Sequence, residues 1–293
     1  MSVKNVLSVI LFFIVLTFPL RVLCGEELEF SIKNKPARGQ PLLIEISAGT
    51  GVRTFSVKWQ EIQIKVPASC DETYCTANLI LPTIYEKSGS MPITVGVANF
   101  EPDRADRTKK TMSGTIDVAD KVYDTQSLTV EPRYVNIDQK TAERTAKERK
   151  LISAALKTFS NEKQWTLPLL RPVPGAISGD FGVQRVFNGE PRSKHTGMDF
   201  KGSSGEAVSA VADGTVVLTG EHYFAGNSVY VDHGQGVVSM YFHLSKILLN
   251  TGDRVKAGDL VGLVGATGRT TGPHLHFGLA AQGILIDPID LFE

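Results

Sequence analysis

Six histidines, His195, His222, His233, His243, His274 and His276, all fall beyond residue 194 of a 293-residue chain. Such a cluster beside a well-placed aspartate points to metal chemistry or proton transfer, because imidazole both ligates metals and titrates near neutrality. His274 and His276 are two residues apart in Gly272-Pro273-His274-Leu275-His276-Phe277. On a strand that spacing puts both rings on one face and Leu275 and Phe277 on the other. His195 and Asp199 are four apart. The spacing would also align on a helix, but Gly197 and the following Phe200-Lys201-Gly202 favour extended chain, where an even separation keeps both side chains on one side. Neutral imidazole and carboxylate are ligands that Zn²⁺ accepts, and a hydrolytic zinc site uses three protein ligands plus water. Each pair alone is of modest specificity. Together with His243 in Met240-Tyr241-Phe242-His243-Leu244, they make chance a poor account.

Three stretches in this order, Arg192-Ser193-Lys194-His195-Thr196-Gly197-Met198-Asp199, Tyr241-Phe242-His243-Leu244 and Gly268 to Phe277, resemble the lysostaphin-type (LytM-like) zinc peptidases. The resemblance covers roughly residues 176 to 291. It implies that His195, Asp199 and His276 bind one Zn²⁺ per chain, and that His243 and His274 are catalytic histidines that do not ligate it. It also implies a narrow groove built on β-sheets, and endopeptidase action on the stem or cross-bridge peptides of peptidoglycan. The alternative is a non-enzymatic wall-binding protein or amidase activator that keeps the fold; its expected mark is a missing ligand, and none is missing. A histidine-phosphorylated sugar-transport component would have no need for Asp199, and a structural zinc site would favour cysteine, which this region lacks. His233 and His222 read as structural residues. Arg185, Asn188 and Arg192, just upstream of His195, are candidates for the groove lining.

The elements that must position these residues read as mainly β. Leu28, Phe30 and Ile32, then Phe55, Val57 and Trp59, then Ile62, Ile64 and Val66 alternate with polar residues, the period that buries one face of a sheet. Residues 25–120 are therefore expected to form a β-sandwich of immunoglobulin-like type. Residues 121–175 form a linker. Within it Asp138 can cap a helix running to Phe159, with Ile152, Leu156 and Phe159 on one stripe and Glu143 four residues before Lys147. Its mixed charges read as a solvated face, and Leu167 to Gly175, carrying three prolines, as an extended hinge. Residues 176–293, dense in glycine with short apolar runs, are expected to be all-β.

Lys4, the apolar run Val6 to Leu20 and small residues at Val22 and Cys24 read as a signal peptide over 1–24, with Gly25 as the new amino terminus; lipidation at Cys24 is the lesser alternative. An exported protein in the periplasm or cell envelope follows, with no stable membrane span after cleavage. Cys70 and Cys75 are then expected to pair as a disulfide. Formal net charge is zero, with 42% hydrophobic and 21% charged residues, so no global field draws the chain to nucleic acid. Oligomeric state is not legible at this stage.

Overall fold

The computed structural model describes residues 28–100, 110–131 and 137–292; the signal peptide expected over 1–24 lies outside them. Eight strands come first: β1 (Glu29–Ile32), β2 (Pro41–Gly49), β3 (Val52–Trp59), β4 (Ile62–Pro67), β5 (Ser69–Cys70), β6 (Tyr74–Pro82), β7 (Gly89–Phe100) and β8 (Thr111–Val118). They form two antiparallel sheets ordered β1-β2-β6-β5 and β4-β3-β7-β8. The alternation is expressed as burial. Phe55, Val57 and Trp59 on one sheet and Leu42, Ile44 and Ile46 on the other are buried in one shared core. Trp59 Nε1 donates to the Pro82 carbonyl at 2.7 Å, tying the sheets together. Strand β1 departs from the expectation: Leu28 is buried, but Ile32 is 41% exposed. It is an edge strand paired only with β2, so its far end has no facing sheet to cover it. Cys70 and Cys75 form the expected disulfide, across the β5–β6 pair.

Strand β9 (Thr125–Leu128) and helix α1 (Gln139–Leu156) come next along the chain. The Asp138 carboxylate accepts from the Thr141 N–H at 2.7 Å, the cap expected from sequence. The helix ends three residues before Phe159, where Lys157 N–H turns back onto the Ala154 carbonyl. Phe159 is 36% exposed, because the stripe that packs is Ile152, Ala155 and Leu156 against Tyr230, Val238, Met240 and Ala280. The i,i+4 ion pair is Arg144 with Glu148 at 2.6 Å, while Glu143 accepts from Gln139. The proline-rich segment departs from the expected extended hinge: it bends at residues 167–168 and 172–175, and its Leu169 and Val173, with Trp165 just before it, are buried in the core of the C-terminal part.

The C-terminal part comprises β10 (Ile177–Gly179), β11 (Gln184–Phe187), β12 (Glu190–Lys194), β13 (Met198–Lys201), β14 (Ala207–Ser209), β15 (Gly214–His222), β16 (Gly226–Asp232), β17 (Val237–Leu244), β18 (Lys246–Ile247), β19 (Arg254–Val255), β20 (Leu260–Leu263), β21 (His274–Ala281) and β22 (Ile284–Ile286). Its main sheet is ordered β10-β13-β21-β17-β16-β15-β19, with β22 also on β21. Register here decides what each face carries. Met198 pairs with Phe277 and Phe277 with Tyr241, while Asp199 pairs with His276 and His276 with Phe242. Successive residues alternate faces. Met198, Phe277 and Tyr241 are buried in the core, and the row Asp199, His276, Phe242 lies on the opposite face.

The two halves are joined at an aromatic junction. Tyr85 stacks on Tyr123 at 4.6 Å, both meet Phe181 edge-on, and Tyr85 Oη donates to the Gly182 carbonyl at 2.8 Å. Gly39 sits beside it at φ +80, where an added Cβ would stand 2.5 Å from Tyr123 Oη.

Phe277, next to the ligand His276 on β21, lies fully buried between Met198 of β13 and Tyr241 of β17. Phe277→Ala should therefore cost about 3–5 kcal/mol in urea unfolding and weaken metal binding as well. A change below about 1 kcal/mol would show that the site face does not depend on this core.

Candidate metal centre

His195 and Asp199 flank a backbone turn that only glycine fits. A Cβ on Gly197 would stand 2.4 Å from the Phe277 carbonyl and 2.6 Å from His276 Nε2, so its absence lets the chain cross close over β21. Three atoms converge as a result. His195 Nε2 lies 3.0 Å from Asp199 Oδ1 and 2.9 Å from His276 Nδ1, and His276 Nδ1 lies 2.8 Å from the same Asp199 oxygen. His195 Nδ1 is 2.7 Å from the Asp180 carbonyl, an acceptor only, so Nδ1 carries the proton and Nε2 of the neutral ring presents a lone pair. Lone pairs packed this closely must share a proton or a cation. Ligand atoms on one tetrahedral Zn²⁺-sized ion stand roughly 3.3 Å apart, close to the spacing found. The cluster of His195, Asp199 and His276 can hold a metal ion.

Burial tends to raise the Asp199 pKa, but in the metal-free protein hydrogen bonding from the adjoining His195 and His276 imidazoles holds the carboxyl well below the usual range, so it is anionic. His276 is pushed down to about 4 by burial, so its ring stays neutral. Arg185 on β11 donates from Nη2 to Asp199 Oδ2 at 2.9 Å. One carboxylate oxygen is thereby fixed on the guanidinium while the other faces the imidazoles, the outer-shell support that orients a ligand. Strand β11 is itself held by β12 and by parallel pairing with β9, and Asn188 locks the join with two hydrogen bonds to Val130. Phe242 stacks on His276 at 5.2 Å and 17°.

His243 and His274 stand beside the cluster. Strand β17 carries a bulge where Asn227 pairs with Leu244 and Val229 with Tyr241, so one extra residue is accommodated. His243 takes the left-handed conformation there, φ +62, a position that is uncommon without glycine and costs of order 1–3 kcal/mol. A bulge re-aims a side chain: the His243 ring lies 5.0 Å from His274 and 6.0 Å from His276. Its Nδ1 donates to the Thr267 carbonyl at 2.8 Å, and His274 Nδ1 donates to the Gly272 carbonyl at 2.8 Å. Both rings are left with an unprotonated Nε2; that of His274 is 3.6 Å from Asp199 Oδ1. Burial pushes His243 down to about 3.

All five expected site residues therefore come together, three in mutual contact and two adjoining. His233 is buried between the Asp213 carbonyl and Ser239, away from them, and His222 bonds Ser228, as their structural readings required. Arg185 reaches the site; Asn188 serves the β9–β11 join instead, and the Arg192 side chain lies outside the described residues. Sequence reasoning missed the Arg185–Asp199 contact and the stack of Phe242 on His276.

A model of peptidase family M23 matches residues 193–288, which span every one of those five positions. Residues 193–288 are a peptidase M23 domain. The peptidoglycan DD-endopeptidase ShyA of Vibrio cholerae serotype O1 is 44% identical over 108 residues, 36% of this chain and 25% of that protein. The DD-carboxypeptidase/endopeptidase Mpg of Neisseria meningitidis serogroup B is 39% identical over 97 residues, 33% of this chain and 22% of that protein. The chain thus spans about a quarter of the length of these curated relatives. A crystal structure of a Pseudomonas aeruginosa protein assigned to peptidase M23 superposes over 88% of this chain and 95% of its own, with a TM-score of 0.66 and 28% identity. That likeness extends beyond the M23 domain to the N-terminal sheets.

The geometry of the centre makes two outcomes measurable. Arg185→Ala, which frees Asp199 Oδ2, should weaken metal affinity about 10–100-fold in competition with a chromogenic chelator; unaltered affinity would remove its orienting role. His276, His243, His222 and His233 all have values below the ordinary 6.5, through burial. Below 6.5 the unfolded chain takes up protons that the folded chain refuses, so stability rises with pH in that window and is lost as pH falls. For the metal-free protein, Tm should hold above pH 6.5 and drop between pH 6.5 and 4; a Tm that is level across that interval would contradict the burial of these rings as neutral species.

Proposed function

We propose that this protein is a zinc-dependent endopeptidase that cuts peptide bonds in the stem or cross-bridge peptides of peptidoglycan. The observation that carries the reading is the complete set His195, Asp199 and His276 with two further histidines beside it, each presenting an unprotonated Nε2. In this reading those three residues hold one Zn²⁺, and His243 and His274 do the proton transfers. Zinc with an open position would lower the pKa of bound water to about 7 and polarise a carbonyl.

The protein's own groups then have defined tasks. Asp199 and the two ligating imidazoles hold the metal, with Arg185 fixing the carboxylate. His243 and His274 are held by the Thr267 and Gly272 carbonyls in the tautomer that can accept a proton at Nε2. Either ring, once protonated there, can donate to the leaving amine. Phe242 stacks on His276 and holds that ring in place. The names of the relatives, peptidoglycan DD-endopeptidases among them, support the substrate class, and that substrate supports an envelope or periplasmic location. Among the described residues no helix is long and apolar enough to cross a membrane. We further propose the division 25–120, 121–175 and 176–293 as working units. The sandwich would brace the catalytic part through Tyr85, which bonds the Gly182 carbonyl while Gly182 N–H bonds the His195 carbonyl.

Incubation of the full chain with isolated cell-wall sacculi should release new amino termini detectable by mass spectrometry, and a chelator should stop it. His243→Ala and His274→Ala should each lower turnover by at least about 10²-fold while zinc content stays near one per chain. Unchanged muropeptides under all conditions would leave a wall-binding protein rather than a hydrolase, and loss of zinc in both variants would mean that ligands and catalysts have been confused.

A further inference from the structure

The acceptors that set the two non-ligating histidines come from one short loop. Thr267 and Gly272 offer the carbonyls that take the Nδ1 protons of His243 and His274. Between them, Thr270 Oγ1 donates to the Gly272 carbonyl at 2.7 Å and lies 3.2 Å from His274 Nδ1. Whatever fixes residues 267–272 therefore fixes both tautomers at once.

That loop is laced to the turn at 224–227. Arg269 N–H donates to the Phe224 carbonyl at 2.9 Å, Asn227 N–H donates to Thr267 Oγ1 at 2.9 Å, and His243 N–H donates to the Ala225 carbonyl at 2.8 Å. The two backbones press together, since a Cβ on Gly268 would stand 2.3 Å from Gly226 N. The side chain of Arg269 then reaches two rings: its guanidinium carbon lies 4.5 Å from the centre of Phe224 and 4.9 Å from that of Phe187. Both distances are within the reach at which an aromatic face attracts a cation, and a planar guanidinium suits such stacking better than a compact ammonium. Phe187 is buried and stands two residues after Arg185 on β11, so both project from one face of that strand. One strand grips Asp199 through Arg185 and the histidine loop through Phe187. Its support comes from outside the M23 match: β11 precedes residue 193, and Phe187 pairs with Leu128 of β9.

We propose that Arg269 is a positioning residue, clamped between Phe187 and Phe224, that holds the 267–272 loop where His243 and His274 both keep Nε2 free of a proton. This deepens the reading of those two histidines as the proton carriers and rests on it. The left-handed backbone of His243 gives the clamp something to hold, because such a conformation persists only while its surroundings over-determine it. A loosened loop lets the bulge relax and the two rings exchange tautomers, while His195, Asp199 and His276 stay where they are.

The test uses zinc-loaded full chain carrying isotope-labelled histidine, whose ring-nitrogen spectra report the tautomer of each imidazole. Cleavage of cross-linked muropeptide dimers purified from sacculi supplies kcat and KM. Arg269→Met keeps the length of the side chain and removes its charge; kcat should fall about 10–100-fold with KM within about twofold. Zinc should stay near one per chain, and the single tautomer at His243 and His274 should be lost. Arg269→Lys retains a cation between the rings and should fall between Met and Arg. Phe187→Leu removes one ring; it should reproduce the loss in kcat and add little to Arg269→Met in the double variant. Unchanged ring spectra in Arg269→Met, or Lys and Met variants of equal kcat, would overturn the role. So would a raised KM with kcat held, which would make Arg269 a substrate contact, and so would additive losses in the double variant. If the unaltered protein cleaves nothing, the hydrolase reading falls and the ring spectra alone decide the clamp.

Discussion

Three electron-pair donors held within 3.0 Å of one another are the constraint on which the rest of this structure turns. Left to themselves a carboxylate oxygen and two imidazole nitrogens would separate or share a proton. Here each is prevented from moving away. The Asp180 carbonyl fixes the tautomer of His195, the Arg185 guanidinium holds the far oxygen of Asp199, and the Phe242 ring backs His276. The ladder between β13 and β21 places Asp199 opposite His276, and Gly197 leaves room for the crossing chain that carries His195. A cation is the component that turns this crowding into attraction.

The neighbouring histidines show a second use of local strain. A regular continuation of β17 after Phe242 would turn residue 243 toward the core. The bulge and the left-handed backbone at His243 bring its ring to the site face instead, against His274 and His276. The cost is carried by a sheet whose other face is fully buried, with Tyr241, Leu275 and Phe277 inaccessible to solvent. A rigid core on one face and a strained, polar constellation on the other are thus the same strands seen from two sides.

Much of this was legible in the sequence, for identifiable reasons. The two-residue spacing of His274 and His276 carries its own geometry once the segment is a strand, and the alternation of Phe55, Val57 and Trp59 does the same for the sandwich. Asp138 announced the start of α1 because an N-cap is a local interaction. Its end was misplaced because Phe159 continues an apolar helical spacing, and only the absence of a packing partner shows that the helix has stopped. The prolines at 168, 172 and 174 pointed to an extended hinge, yet the segment bends there and Leu169 is buried through contacts with residues far along the sequence, among them a backbone bond to Leu291. The pairing of Asp199 with His276 and the grip of Arg185 were likewise out of reach, since each depends on strand register rather than on spacing. The clamp on Arg269 was hidden for a related reason: Phe187 and Phe224 are distant from it in sequence and reach it only through the fold.

The central claim is that one ion is bound by one particular set of three atoms. Diffraction data from zinc-loaded crystals, collected on both sides of the zinc absorption edge, test it most directly. The account predicts a single anomalous peak per chain within bonding distance, about 2.0–2.2 Å, of His195 Nε2, Asp199 Oδ1 and His276 Nδ1. A peak ligated instead by His243 or His274, or no peak among these side chains, would contradict it.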